Sequence, residues 1–359
     1  MTAPRVVLAG FYPPPFAGEP IHVKQLADLL RERGFEVTVL NLNRHASPAA
    51  EYVGASTPWG LMRLLVALPE RGGLLHLHTN GHSWKSWLMI VTAAITARVK
   101  DVRTFLTIHS GLFPGYVSSL GGVRRRIARR VLGCFAHVIG VNRDIGDALQ
   151  GLGVDAAKRA VIPAYLGVRR VADLAGEECT VLAGRRPVVV VVGGGDRDPE
   201  LGLPTVIETL PELSECLPDL RAVFIGWQVG AKTQGLIEAR GLTEHAVCLG
   251  EIPHERCIAL LGQADVVVRS TFADGDAITV REALELGVPV VASDTAFRPA
   301  GVTLFRRGDS RDLLAKLKHV LATHATAPAP IGTEAGSGND LWNLYAPFLT
   351  NNRRAIGAR

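Results

Sequence analysis

The residues with the clearest chemical potential lie in one stretch of the 359-residue chain, positions 264–294, which reads ADVVVRSTFADGDAITVREALELGVPVVASD. It consists of an apolar run, a polar loop, a segment with helical spacing that ends at Gly287, and a second apolar run. The polar loop contains Asp274, Gly275 and Asp276. The first helical amides belong to Ala277, Ile278 and Thr279. Because amides at the start of a helix lack intrahelical acceptors and lie at the positive end of its dipole, this segment predicts a diphosphate site.

Two carboxylates accompany this predicted phosphate site. Glu282, on the helix, can accept hydrogen bonds from two ribose hydroxyls, and Asp274 can reach a sugar that is attached to the phosphate. Asp274 and Asp276 also match an Asp-x-Asp metal motif. Further metal ligands do not cluster nearby in the sequence, so we predict no metal here and assign Asp276 as the N-cap of the helix.

The loop that follows the first predicted strand, positions 11–22, reads FYPPPFAGEPIH. Gly18 allows the backbone to come close to a ligand. Glu19 and His22 lie on the first turn of the next helix, where they can face the acceptor molecule of a group transfer. A loop with a purely structural role is the alternative interpretation.

Two other positions follow predicted strands. His109 ends the strand at 103–108 and lies at the ligand-binding edge of a parallel sheet, although a buried structural histidine is the alternative. The segment VGGGDR at 192–197 opens a second domain and contains Gly194 and Arg197. It is not a dinucleotide-binding fingerprint, because Asp198 stands where the third glycine is required.

Short apolar runs alternate with amphipathic segments along the chain, which is typical of parallel βαβ units. We therefore predict an α/β protein with two Rossmann-like domains that face each other across a cleft. The predicted strands of the first domain are 5–9, 36–40, 74–78, 103–108, 137–141 and 159–162. Those of the second domain are 187–192, 221–225, 246–249, 265–268, 288–292 and 302–305.

The alternating pattern weakens after residue 168, and this change marks the domain boundary. We predict an N-terminal domain at 1–175, on the acceptor side, and a C-terminal nucleotide-binding domain at 186–323. Residues 324–338 are rich in Pro, Gly, Ala and Thr and are predicted to be a linker. The apolar pattern then returns, so we expect a helix at 339–359 that packs back on the N-terminal domain.

The composition limits the cellular setting. A net charge of +5 suits anionic ligands such as nucleotides and also an anionic lipid surface. The apolar run at 87–97 is too short to span a membrane and is predicted to be a core helix. Five cysteines without a Cys-x-x-Cys pair and a start without a leader pattern predict a cytoplasmic protein. Either a lipid contact or a solvated face explains the basic run Arg124, Arg125, Arg126, Arg129 and Arg130.

The stretch at 264–294 resembles the signature of the family-4 retaining glycosyltransferases, which have the GT-B architecture. The matching residues are Asp274, Glu282, Ala283, Gly287, Pro289, Val290, Val291, Ala292 and Ser293. The resemblance implies that Glu282 binds the ribose of a nucleotide-sugar donor and that Asp274 stands near the reacting face of the sugar. Asp274 departs from the family, which has a glutamate at this position.

The resemblance implies further donor contacts. His109 would contact the donor sugar, Gly18 the phosphate, and the loop at Ile252 the nucleotide base. The family's phosphate-binding Arg and Lys correspond here to Gly194 and Leu201, so both expected cations are missing. The candidates to replace them are Arg197, Arg269 and Arg298.

We accordingly predict a metal-independent glycosyltransferase of polysaccharide biosynthesis that moves a hexose, with retention, from a UDP- or GDP-linked sugar. Apart from this co-substrate no cofactor is expected. The acceptor is a glycan, a lipid-linked glycan or a small molecule; contact with the inner membrane face is an option, and nucleic acid is not a partner. Two alternatives stay open: a catalytically inactive nucleotide-sugar-binding or glycan-binding relative, and a nucleotide-sugar epimerase of the same fold.

Overall fold

The computed structural model of the protein describes residues 5–57, 59–60, 62, 73–100, 102–168, 174, 176–193, 202–227, 229–295, 297–323 and 338–356. The chain divides into two compact units. Apart from Pro15–Ala17, which group with the second unit, the first unit continues to Leu166 and the second begins at Gly167. This division lies ahead of the predicted domain end at residue 175. Apart from Gly338, the linker predicted at 324–338 lies outside the described residues.

The first unit contains a seven-stranded parallel sheet. Its strands are β1 (Arg5–Gly10), β2 (Glu36–Asn41), β3 (Val53–Gly54), β4 (Leu74–Thr79), β5 (Arg103–Ile108), β6 (His137–Gly140) and β7 (Arg159–Val161). Its helices include α1 (Gly18–Glu32), α2 (Trp84–Lys100), α3 (Phe113–Ser118), α4 (Gly122–Leu132) and α5 (Arg143–Gly151). The strand order is β3-β2-β1-β4-β5-β6-β7, so the direction of winding reverses between β1 and β4. Ligands bind parallel sheets at the carboxyl ends of the strands beside such a reversal.

The second unit contains a six-stranded parallel sheet. Its strands are β8 (Val188–Val192), β9 (Arg221–Ile225), β10 (Ala246–Gly250), β11 (Val266–Arg269), β12 (Val290–Ser293) and β13 (Thr303–Phe305). Its helices are α6 (Glu177–Leu182), α7 (Leu203–Ile207), α8 (Leu210–Cys216), α9 (Ala231–Glu238), α10 (His254–Leu261), α11 (Ile278–Glu285) and α12 (Ser310–Thr323). The order β10-β9-β8-β11-β12-β13 reverses between β8 and β11.

The five consecutive valines of β8 show why this sheet is covered on both faces. Val189 and Val191 are buried in one core cluster, whereas Val188 and Val190 are buried in a second cluster. Side chains alternate between the faces of a strand, and parallel sheets with both faces covered have nearly continuous apolar strands. The apolar sequence of β8 therefore fixes the strand in the core, and the loop that follows the strand begins from this fixed position.

The last described helix, α13 (Gly338–Ile356), packs into the core of the first unit. Leu341 and Tyr345 are almost fully buried there, with β1 and β4 side chains in the same cluster. The ring of Trp342 lies 5.6 Å from that of Phe35, measured between centroids. The apolar pattern of the C-terminal segment is thus explained by contacts within the first unit.

Each predicted strand is present within two residues of its expected bounds, and among the strands of the described residues the short edge strand β3 alone was not predicted. The core-helix interpretation of residues 87–97 needs correction, because α2 is buried on one face only. Leu88 and Ile95 are 42% and 57% exposed, while Ile90 and Ala93 are buried. Among the described helices, none combines the length and the apolar character that a membrane crossing requires.

Candidate functional site

The helix that follows the polar loop in the second unit is α11, and its first residue is Ile278. Its N-cap residue is Ala277, which has no capping side chain. The prediction that Asp276 is the N-cap is wrong: Asp276 lies one residue earlier, and its carboxylate accepts a 2.7 Å hydrogen bond from Nε of Arg281. The two side chains of this ion pair are buried, and their opposite charges neutralise each other. At the other end of the helix, Gly287 follows the last turn with a φ of 76°.

Asp274 lies between two arginines. Its Oδ1 accepts a 2.7 Å hydrogen bond from Nη2 of Arg269, and its Oδ2 accepts one of 2.6 Å from Nη1 of Arg298. Oδ2 also accepts from Nε of Arg269 at 3.1 Å and from the hydroxyl of Thr271. Burial alone would raise the pKa of Asp274, but the charges of Arg269 and Arg298 and the hydrogen bonds from Arg269 and Thr271 outweigh it and hold the pKa well below its usual range. Asp274 is therefore ionised, and the cluster of one carboxylate and two guanidinium groups carries a net charge of +1.

The two arginines differ in accessibility. Arg298 has a side chain that is only 3% exposed, and its further bonds go to Oγ and the carbonyl oxygen of Ser293 and to Oγ1 of Thr271. Arg269 is 18% exposed, and its bonds to Asp274 and to the carbonyl of Val192 engage three of its five N–H groups. Of these two candidate cations, Arg269 retains the greater capacity to bind an anion.

Glu282 lies one turn after the start of α11, and its carboxylate is nearly inaccessible, with 1% of the side chain exposed. Its Oε1 is 2.6 Å from Nε2 of His254, the first residue of α10. A carboxylate has about four acceptor positions. The bond to His254 therefore fixes the orientation of Glu282, and it is the only hydrogen bond to this carboxylate among the described residues.

The first unit brings together histidines from three elements, namely His22 of α1, His78 of β4 and His109, which follows β5. Their ring centroids are 5.2 to 5.4 Å apart. Nδ1 of His78 is 3.1 Å from Nε2 of His109, and Nδ1 of His22 donates to the carbonyl oxygen of Ala164 at 2.5 Å. Burial lowers the pKa of His22 to about 4 and places the pKa values of His78 and His109 well below 6.5, so all three rings are neutral. His109 is a partly buried member of this group.

Glu19 lies close to the same group. A Cβ atom built on Gly10 would lie 2.9 Å from Cβ of His78 and 3.6 Å from Oε1 of Glu19, so both side chains flank the end of β1. The carboxylate accepts a 3.2 Å bond from the amide of Phe11. Burial raises the pKa of Glu19 to about 7, and the bond from Phe11 opposes this shift. Glu19 and His22, both predicted to face an acceptor, thus both lie beside His78.

The remaining predicted residues have different outcomes. Gly18 begins α1, and a Cβ built there meets nothing within 4 Å, so the backbone at this position is open. Ile252 follows β10 and packs partly against the core of the second unit. Gly275 lies in the loop between Asp274 and Asp276, and Thr279 in the first turn of α11. Gly194 and Arg197 lie outside the described residues.

Comparisons with known proteins show which protein class this chain resembles. The sequence pattern of "Glycosyl transferases group 1" matches residues 180–306, and that of "Glycosyl transferase 4-like domain" matches residues 17–164. A phosphatidyl-myo-inositol mannosyltransferase from Mycobacterium leprae (strain TN) is 27% identical over 304 residues, which are 77% of this chain and 75% of that protein. The two patterns, which match different parts of the chain, identify it as a glycosyltransferase. The prediction of a hexosyltransferase-type glycosyltransferase is confirmed.

Solved structures confirm the GT-B fold of the glycosyltransferase. Sucrose-phosphate synthase from Thermosynechococcus elongatus matches 99% of this chain and 100% of its own, with a TM-score of 0.70 and 16% identity. Anabaena HepE in complex with UDP and glucose also matches 99% of this chain and 100% of its own, with a TM-score of 0.65 and 15% identity. At these identities the likeness concerns the fold alone.

Sequence reasoning missed several residues of the glycosyltransferase that the structure places beside the predicted ones. His254 and Thr271 contact Glu282 and Asp274, respectively, although neither belongs to the family signature. His78 could have been noticed, because His76 and His78 alternate within a strand and therefore point to one face. The packing of His78 against His22, 56 positions earlier in the chain, had no sequence signal.

Proposed function

We propose that the protein transfers a hexose from a UDP- or GDP-linked sugar to an acceptor, with retention and without a metal. The observation that carries this proposal is Glu282, a buried carboxylate oriented by His254 one turn after the start of α11, within the family signature. Glu282 would accept hydrogen bonds from the two ribose hydroxyls of the donor. The second unit is accordingly the donor-binding unit.

The start of α11 and Arg269 supply the positive charge for the diphosphate in this proposal. Helix amides at Ile278 and Thr279 have no intrahelical acceptor, and the helix dipole favours an anion there. Arg269 contributes the net charge of the cluster around Asp274. Stabilisation of a leaving diphosphate by fixed donors is the usual source of rate enhancement in such sites. These groups replace the cations missing at Gly194 and Leu201.

Asp274 has two roles in this proposal: it holds Arg269 and Arg298 in place, and it accepts a hydrogen bond from the sugar. Three of its four hydrogen bonds end on Oδ2 and only one on Oδ1, so Oδ1 retains acceptor capacity for a sugar hydroxyl. The side chain is one methylene shorter than the family's glutamate. Its pairing with Arg269 and Arg298 fixes the position of the carboxylate despite this shorter reach.

The first unit would bind the acceptor through Glu19 and His22, and His109 would contact the transferred sugar. Gly18 offers open backbone beside Glu19. A neutral His109 can donate or accept one hydrogen bond, which suits a sugar hydroxyl. A glycan, a lipid-linked glycan and a small molecule are all compatible with this polar site.

A basic and apolar surface on the first unit favours a lipid-linked acceptor. On α4, the exposed side chains of Val123 and Ile127 alternate with the exposed Arg126 and Arg130 along one face. On the adjacent α2, one exposed face bears Trp84, Leu88, Ile95 and Val99. Apolar side chains flanked by arginines are typical of helices that lie in the interface of an anionic membrane. The protein would act at the cytoplasmic face of such a membrane.

The membrane contact is tested by sedimentation with vesicles of phosphatidylcholine alone or with added phosphatidylglycerol. We expect binding to the anionic vesicles and its loss in the variant with Arg126→Glu and Arg130→Glu. A control with Arg240→Glu and Arg311→Glu on the second unit changes the net charge equally and should keep binding. Equal loss in both variants would refute a localised surface.

The transferase activity is tested with UDP- and GDP-linked hexoses and a panel of glycan and lipid-linked acceptors, in the presence of EDTA. We expect release of the nucleoside diphosphate that depends on an acceptor, and a product with the anomeric configuration of the donor. Donor binding without turnover would identify an inactive relative, and a changed sugar without an acceptor would identify an epimerase. An inverted product would refute retention.

A further inference from the structure

The group formed by His22, His78 and His109 has the composition of a metal site. One ring nitrogen from each histidine lies within 4.8 Å of the other two. The three residues come from α1, from β4 and from the end of β5, so the sheet and the helix fix their backbones independently of any ligand. Imidazole is a preferred ligand of zinc and of neighbouring transition metals.

Two of the nitrogens are buried without a hydrogen-bond partner in the described part of the chain. They are Nε2 of His22 and Nε2 of His78, of which the second is not the His78 nitrogen that lies next to His109. Since Nδ1 of His22 donates its proton to the carbonyl oxygen of Ala164, its Nε2 carries a lone pair. Buried polar groups without partners are uncommon in native proteins and require an explanation such as an ion. A cation would satisfy the lone pair of His22.

The spacing suits a tetrahedral ion. With Zn–N distances of about 2.0 to 2.1 Å, two ligand nitrogens at tetrahedral angles lie about 3.3 Å apart. Nδ1 of His78 and Nε2 of His109 are already 3.1 Å apart. All three separations are within 4.8 Å, so each exceeds the ideal by at most about 1.5 Å, a distance that rotations of the rings can close.

We propose that His22, His78 and His109 bind one divalent transition-metal ion, with Zn²⁺ as the preferred ion. The bond from His22 to the carbonyl of Ala164 is the kind of outer contact that fixes the tautomer of a metal-binding histidine. Three histidines leave the fourth tetrahedral position open to water or to a ligand oxygen. Glu19 lies beside His78, so a carboxyl group flanks the site.

The metal has a consequence for the transferase that rests on the proposed function. A His109 ring that binds an ion with Nε2 cannot use that nitrogen for a sugar hydroxyl. Metal occupancy and sugar transfer therefore exclude each other, so Zn²⁺ inhibits the enzyme through this site. The metal site itself does not depend on the transferase proposal.

The test is a calorimetric titration of the full-length, metal-stripped protein with Zn²⁺ at neutral pH. We expect one ion per chain and a loss of affinity of more than tenfold in His22→Gln and in His78→Gln. His76→Gln is the matched buried control, because both ring nitrogens of His76 are occupied by Tyr345 and Thr107. His319→Gln is the exposed control. Both controls should bind as the parent does, and equal binding by all variants would overturn the site.

X-ray absorption at the zinc edge keeps the proposal falsifiable if a histidine variant does not fold. The parent protein with one equivalent of Zn²⁺ should show three imidazole ligands, and fewer than three would overturn the proposal. Turnover is then measured with and without one equivalent of Zn²⁺. If three imidazoles bind zinc but turnover is unchanged, the metal site stands and the contact of His109 with the sugar is wrong. Absence of any turnover would count against the proposed function alone.

Discussion

Replacement of Glu282 by glutamine is the most informative perturbation of the donor site. The side chain is 1% exposed, and its Oε1 is held by His254 at 2.6 Å. Glutamine has the same shape and keeps an oxygen for the bond to His254, so the fold should be retained. What it removes is the negative charge and with it the acceptor capacity for a second ribose hydroxyl.

The size of the effect follows from the hydrogen bonds involved. A bond to a charged group contributes about 1.5 to 3 kcal/mol. If Glu282→Gln removes one such bond, the loss of affinity corresponds to a factor of about 10 to 150, since about 1.4 kcal/mol is a factor of ten. The affinities for the nucleoside diphosphate and for its nucleotide sugars should fall together, because both kinds of ligand contain the ribose.

Isothermal titration of parent and variant with the preferred nucleoside diphosphate measures this loss directly. Glu285→Gln is a matched control on the same helix, where the carboxylate of Glu285 accepts a bond from the amide of Val168. The control should bind the nucleotide as the parent does. An affinity of Glu282→Gln within twofold of the parent, with an unchanged melting temperature, would refute the assignment of the ribose to this carboxylate.

Three further predictions concern stability and pH. Asp274→Ala leaves the guanidinium groups of Arg269 and Arg298 without their shared carboxylate, and urea denaturation should show a loss of about 3 to 5 kcal/mol; a loss below about 1 kcal/mol would contradict the clamp. Because folded His22 has a pKa of about 4 and an unfolded histidine one of 6.5, the folded protein binds fewer protons and loses stability as the pH falls through this window. His22→Gln should flatten that dependence by up to about 1.4 kcal/mol per pH unit in metal-stripped protein, and an unchanged slope would disprove it. Glu19 has the opposite effect on stability, because its pKa of about 7 lies above the ordinary 4.5. Stability should therefore fall as the pH rises from 4.5 to about 7, and thermal melts of Glu19→Gln should lack this decline.

The elements of the fold could be predicted from the sequence because their signals are local. Runs such as the valines of β8 alternate with helices whose apolar spacing is regular, and strand bounds agreed within two residues. The position of Glu282 on a helix after a polar loop followed from the same local pattern. The exposed face of α2 could not be predicted in this way, because an apolar run does not reveal which of its side chains the neighbouring elements cover.

The contacts of the candidate site depend on residues far apart in the chain, and this is why the sequence did not reveal them. Arg298 reaches Asp274 across 24 positions, and His254 reaches Glu282 across 28. The N-cap assignment of Asp276 failed for a related reason: a buried Arg281 five positions later binds its carboxylate. A rule based on the capping preference of aspartate cannot include such a competing charge.

The central claim is that the start of α11 and the carboxylate of Glu282 together bind a nucleoside diphosphate. A crystal structure of the protein with bound UDP or GDP tests it most directly. We expect phosphate oxygens within hydrogen-bond distance of the amides of Ile278 and Thr279, and both ribose hydroxyls within hydrogen-bond distance of the Glu282 carboxylate. A nucleotide bound elsewhere, or one whose ribose lies away from Glu282, would contradict it.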